Sequence, residues 1–193
     1  MYQHAEGLTM SQAFYRTVEC FPQRVAQLYN PELYQGDGGG QLCWQEVCQR
    51  VEEIALGMLA LGLKKAGRVA IMAPNSPYWT QTDIAVINCG AVLVTIYPTL
   101  SVNEAAYIVN DSESEYLFVG NREILDRVRS GLDQMPTLKK IIIMDPSYGS
   151  DGDSLVMSLN ELRELGKRNS DQHRQEYETR WKGNTLDDWA TIL

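Results

Sequence analysis

The chain has 193 residues, 44% of them hydrophobic, and a formal charge of -8 from 17 Lys plus Arg against 25 Asp plus Glu. That length and apolar content suffice for a sizeable core, which excludes a disordered chain and predicts a compact globular domain. The acidic balance, with no local basic patch, repels a phosphate backbone, so nucleic acid is not expected as a partner.

The opening "MYQHAEGLTMSQAF" has no basic segment followed by an apolar one, so no signal peptide is read and a cytoplasmic location is expected. From Thr9 to Asn30 the pattern predicts one or two short helices. "QGDGGG", Gln35 to Gly40, reads as a flexible connector or hairpin tip. It is a poor dinucleotide fingerprint, because the strand expected before such glycines and their spacing are both missing. Next, Trp44, Val47, Val51, Ile54, Ala55, Met58 and Leu61 recur at helical spacing, and Gly62 ends the helix where a positive φ costs little. Residues 1–66 thus form a helical lead-in.

Residues 67–145 alternate between apolar strands and helices. "RVAIMA" (Arg68 to Ala73) is a strand, after which Ser76 caps a helix whose first position is Pro77. "AVLVTIY" (Ala91 to Tyr97) is a second strand, followed by Ser101 and Glu104 in the spacing of a capping box and a helix to about Asn110. "EYLFVG" is a third strand, Asn121 to Met135 a helix, and "KKIIIM" a fourth strand. Continuous apolar strands joined by helical crossovers predict an α/β fold, a mostly parallel sheet flanked by helices.

Residues 146–193 are less regular. "DPSYGSDGDS" is an acidic loop whose Asp151 and Asp153 lack the order of a calcium loop. "LVMSLNELREL" reads as a short helix, Gly166 to Lys182 as a solvated helix or linker, and "DDWATIL" as an interrupted strand.

Ligands of parallel sheets sit beyond the strands' carboxyl ends, which here are the loops "APNSP", "YPTLS" and "GNRE". They are candidate pocket walls, although helix initiation accounts for their caps and prolines and they hold no His, Cys or carboxylate cluster. Elsewhere there is no nucleophile elbow, phosphate loop or zinc helix motif. Cys20, Cys43, Cys48 and Cys89 make no C-x-x-C pair and read as free thiols. His4 and His173 lie in polar segments and read as solvent-exposed. Trp79 reads as core rather than a stacking platform. The longest nearly apolar run, Ile84 to Tyr97, falls short of the ~20 residues needed to span a bilayer. The residues alone name no catalytic, cofactor-binding or metal-binding position.

The order of motifs from about Leu42 onward resembles the amino-terminal part of AMP-forming acyl-CoA synthetases of the long-chain fatty acid type. The resemblance is carried by "GRVAI" at Gly67 to Ile71, "GAV" at Gly90 to Val92, "YPT" at Tyr97 to Thr99 and "NDSE" at Asn110 to Glu113. Thr95 departs from it, standing where relatives often carry proline. The closing "LDDWATIL" is similar to the segment that leads into the family's Gly/Ser/Thr-rich phosphate loop. The resemblance implies an incomplete amino-terminal domain of a parent that couples a fatty acid to CoA through an acyl-adenylate. It further implies ATP, Mg and CoA as the parent's cofactors, with none expected bound by this piece. Fatty acid, ATP and CoA would be engaged through the missing remainder, where the family's phosphate loop, magnesium-associated Thr-Glu, ribose-binding Asp and catalytic Lys should lie. Self-association of the piece and peripheral membrane contact of the parent are further expectations. Two alternatives stand beside this: a complete, non-catalytic α/β interaction module, and half of a nucleotide-binding oxidoreductase.

Overall fold

The computed structural model describes residues 7–32, 34, 39–149 and 152–193. The expectations for His4, for Asp151 and for most of the "QGDGGG" connector fall outside these residues.

Helix α1 (Met10–Cys20) starts at Thr9, which forms a capping box with Gln12. The second helix expected before Asn30 is instead a strand, β1 (Val25–Leu28), paired antiparallel with β2 (Gln41–Cys43). The connector therefore does follow a strand. Helix α2 (Trp44–Ala60) ends at Gly62, whose φ of 92° lets the Leu63 N–H return to the Met58 carbonyl at 3.0 Å. Then come β3 (Arg68–Met72), α3 (Pro77–Asn88), β4 (Val92–Ile96), α4 (Val102–Asp111) and β5 (Tyr116–Val119). Helix α5 (Arg122–Arg129) is shorter than expected, because the chain turns at Ser130–Gly131 into one 3-10 turn (Leu132–Gln134) before β6 (Lys140–Ile143). The helix expected to begin at "LVMS" is preceded by a strand, β7 (Val156–Ser158), and α6 (Leu159–Arg168) starts only at the Ser158–Glu161 capping box. Helix α7 (Ser170–Lys182) and β8 (Thr191–Ile192) close the chain.

Six strands form one sheet in the order β7-β6-β5-β3-β4-β8, every neighbouring pair parallel. Alternate strand residues enter different cores, as a two-residue side-chain period requires. Val69, Ile71, Tyr116, Phe118 and Ile142 pack with α1, α2, α3, α6 and α7. Ala70, Met72, Leu117, Val119, Ile141 and Ile143 pack with α4 and α5 on the other face.

The thicker helical layer is held by features that are not apolar. Helices α2 and α6 cross at two glycines: a Cβ on Gly166 would lie 2.0 Å from the Glu53 carbonyl oxygen and 2.8 Å from the Gly57 nitrogen. At the same crossing the Glu53 carboxylate, 5% exposed, takes Arg163 at 2.7 Å and Lys167 at 3.6 Å. Burial is tolerated because the charge is paired and hydrogen-bonded. Helix α7 is polar along most of its length, yet it is not a linker. Its Tyr177 is fully buried, and Arg180 donates to the carbonyls of Leu63 at 3.0 Å and Cys89 at 3.1 Å, closing the ends of α2 and α3. His173 is also less exposed than its charged surroundings suggest, with 16% of its side chain accessible and Nδ1 3.5 Å from Glu176.

Candidate functional site

Strand β3 leads into α3 on one face of the sheet and the adjacent β5 leads into α5 on the other. Neighbouring strands whose connections part in this way leave a crevice beyond their carboxyl ends, the usual ligand position of open parallel sheets. Here the crevice encloses about 350 Å³. Its walls come from the end of β3 (Pro74, Ser76), the end of β5 (Gly120, Asn121) and the end of β6 (Met144, Asp145), together with Tyr34 and Tyr78.

Local sequence places each wall. Ser76 takes the Trp79 N–H at 3.1 Å to start α3, with Pro77 at the first helical position where a missing N–H costs nothing. Asn121 Oδ1 takes the Ile124 N–H at 3.0 Å to start α5. This fixes the amide's orientation and turns its NH2 away from the cap. Gly120 is needed for close approach, since a Cβ there would sit 2.7 Å from the Pro74 ring. Asp145 Oδ1 accepts from the Ser147 N–H at 2.9 Å and from its hydroxyl at 2.6 Å, which holds the turn after β6. Tyr34 reaches over the opening, donating to the Asn75 carbonyl at 3.1 Å and meeting Tyr78 edge to face at 6.2 Å.

Of the three loops expected to form pocket walls, the structure therefore brings together "APNSP" and "GNRE". The "YPTLS" loop stands apart, tied to α5 by Arg127, which donates to the carbonyls of Pro98 at 2.7 Å and Leu100 at 3.0 Å. Within it the Ser101 hydroxyl and backbone N–H hold the Glu104 carboxyl below its usual range. Sequence reasoning missed the contribution of Met144 and Asp145. The signal was available, because Asp145 directly follows the fourth apolar strand and so had to emerge at the same edge.

A second polar assembly lies inside the thick helical layer. Asn88 Nδ2 donates to the Tyr177 hydroxyl at 3.1 Å, the Tyr15 and Tyr177 hydroxyls are 2.7 Å apart, and Glu52 lies 3.2 Å from Tyr15 and 2.7 Å from Arg174. Burial is the main cause that holds both phenols protonated far above the ordinary tyrosine value. Burial likewise pushes the thiols of Cys48 and Cys89 up to about 12, so neither is a thiolate nucleophile at neutral pH. The phenols, Asn88, Glu52, Arg174 and Cys48 are linked to one another and the Cys89 thiol donates to the Ala55 carbonyl at 3.6 Å, so these groups belong to the packing of α1, α2, α3 and α7. Trp79 packs against this core, as expected.

Among the described residues no His lines the crevice, and Asp145 is the single carboxylate of the lining. A triphosphate with magnesium does not suit this donor set: among the described residues no Lys or Arg lines the crevice and no group of three metal-ligating side chains occurs. No helix among the described residues is long and apolar enough to cross a membrane.

The chain is 29% identical over 141 residues to fatty acyl-CoA synthetase A of Dictyostelium discoideum, covering 68% of this chain and 20% of that protein. It is 28% identical over 160 residues to a long-chain-fatty-acid–CoA ligase of Xenopus laevis, covering 83% of this chain and 21% of that protein. The crystal structure of a long-chain-fatty-acid–CoA ligase from Archaeoglobus fulgidus superposes with a TM-score of 0.71 at 20% identity, covering 86% of this chain and 31% of that one. At that identity the likeness establishes the fold. The chain spans about a fifth of the length of the curated relatives it matches. The model of the AMP-binding enzyme family matches residues 14–183, and the chain belongs to that family.

Proposed function

We propose that the chain is the amino-terminal scaffold of an ATP-dependent fatty acid–CoA ligase. In the parent's first half-reaction a fatty carboxylate attacks the α-phosphorus of ATP, forming the acyl-adenylate and releasing pyrophosphate. In the second, the CoA thiol attacks the acyl carbon and AMP leaves. Both steps build charge on oxygen atoms, which preorganised donors and a cation must stabilise. Among the described residues no Lys or Arg lines the crevice, so those groups are assigned to residues outside this chain.

One observation carries the reading: the family match runs through most of the chain, while the chain amounts to about a fifth of ligases named for long-chain fatty acids. ATP, Mg, CoA and the fatty acid are accordingly partners of the longer protein, and self-association belongs to the exposed apolar surface of this piece. The native reading frame tests the assignment. It is expected to continue past Leu193 and, within a few codons, to encode a Gly/Ser/Thr-rich loop with a Lys shortly after. A stop codon at that point would leave a complete, non-catalytic α/β module instead.

A further inference from the structure

The crevice at the ends of β3, β5 and β6 supplies none of the reacting groups named above, yet it is built as a ligand site is built. Apolar and aromatic surface from Pro74, Met144, Tyr34 and Tyr78 surrounds a few polar groups, and the volume of about 350 Å³ lies within the range of small-molecule sites. Gly120 lets the ends of β5 and β3 approach closely beneath the crevice, because even a methyl group would strike Pro74.

The polar groups define the ligand's edge. Asn121 spends its carbonyl on the α5 cap, so its NH2 is the group offered as a donor. Asp145 spends one oxygen on Ser147, and its second oxygen is an acceptor with no bond to the described residues. Ser76 accepts from Trp79 and retains its own O–H as a donor. Donors and an acceptor thus share one small opening between aromatic and proline surfaces. A fully apolar molecule would leave these groups unpaired, and a carboxylate would meet the Asp145 charge. A cation would satisfy Asp145 but not the donors.

We propose that this crevice binds a flat, neutral ring with an amide edge, such as a lactam, a carboxamide or a nucleobase. The ring's N–H donates to Asp145, its carbonyl or ring nitrogen accepts from Asn121 and Ser76, and its faces rest against the tyrosines and prolines. This goes beyond the ligase reading and does not depend on it.

The test is amide NMR of the 193-residue chain titrated with uracil and, separately, benzamide. Saturable shifts at Gly120, Asn121 and Asp145, with a Kd on the order of 1 mM for so small a probe, are expected. Asn121→Asp keeps an equally good helix cap but removes the donor, and Asp145→Asn removes the charged acceptor. Each should weaken binding about tenfold or more while the remaining spectrum is unchanged. Benzoate and cyclohexane-1,4-diol should shift these amides weakly or not at all. Absence of saturable shifts at those three amides, binding unaffected by both variants, or equal binding of benzoate would overturn the proposal.

Discussion

Asp83, on α3, is half-buried, and no basic side chain among the described residues is bonded to it. Loss of hydration raises its carboxyl to about 6. Because the folded value lies above the unfolded one, the native state holds the extra proton between roughly pH 4 and pH 6. The stability associated with that proton is fully present below pH 4 and is lost as pH rises through 6. Asp83→Asn removes the penalty of ionisation. It should stabilise the chain at pH 7.5 by on the order of 1–2 kcal/mol after discounting for solvent screening, and have little effect at pH 3.5. Urea unfolding of both chains at the two pH values measures this, and equal differences at both would refute it. Residues that act on their own backbone neighbourhood were legible in the sequence: Ser76, Ser101 with Glu104, and Gly62 each perform the local task their spacing suggests. Tyr177 was not legible, since its burial depends on Tyr15 and Asn88, which lie far away in the chain and announce nothing by spacing.

The same distinction holds for elements. The four central strands were predictable because each is a nearly continuous buried apolar run, and the helices between them because each opens on a capping residue. Strands β1 and β7 were not, for β1 is part-exposed and interrupted by Gln27, β7 is three residues at the edge of a run with helical pattern, and each exists through its partner, β2 or β6. Gly166 shows how a helix crossing can hide in a polar tract, where the absence of a side chain leaves no hydrophobic signal. Gly166→Ala should destabilise the fold by about 3 kcal/mol, the upper part of the usual overpacking range, because the new methyl group meets backbone rather than a side chain that can move. Gly183→Ala serves as the control, since its nearest contact for a Cβ is the milder 2.9 Å to the Thr179 carbonyl. Thermal unfolding in parallel compares them; equal losses would show that the α2–α6 crossing has slack.

At the scale of the whole molecule the sheet is covered by helices on both faces, and an apolar patch stays exposed at its edge. Met10 is 55% exposed, Leu186 69% and Trp189 71%, and the three line a single hollow beside the amino ends of β4 and β8. The candidate site was legible as an edge of the sheet, by the rule for parallel strands. Its composition was not, because which loops meet depends on the strand order: β6 lies beside β5 and brings Asp145 to the crevice, while β4 carries "YPTLS" away from it. On the proposed function this sheet supports adenylate chemistry whose reacting groups are supplied elsewhere in a longer protein. Fatty-acid-dependent exchange of labelled pyrophosphate into ATP, run on this chain and on the protein encoded by the full native frame, tests it most directly. Loss of even one preorganised donor typically costs about 100-fold or more in rate, so loss of the whole set should leave the chain at the no-enzyme background while the longer protein exchanges. Exchange by the 193-residue chain itself, or a silent full-length protein, would contradict the account.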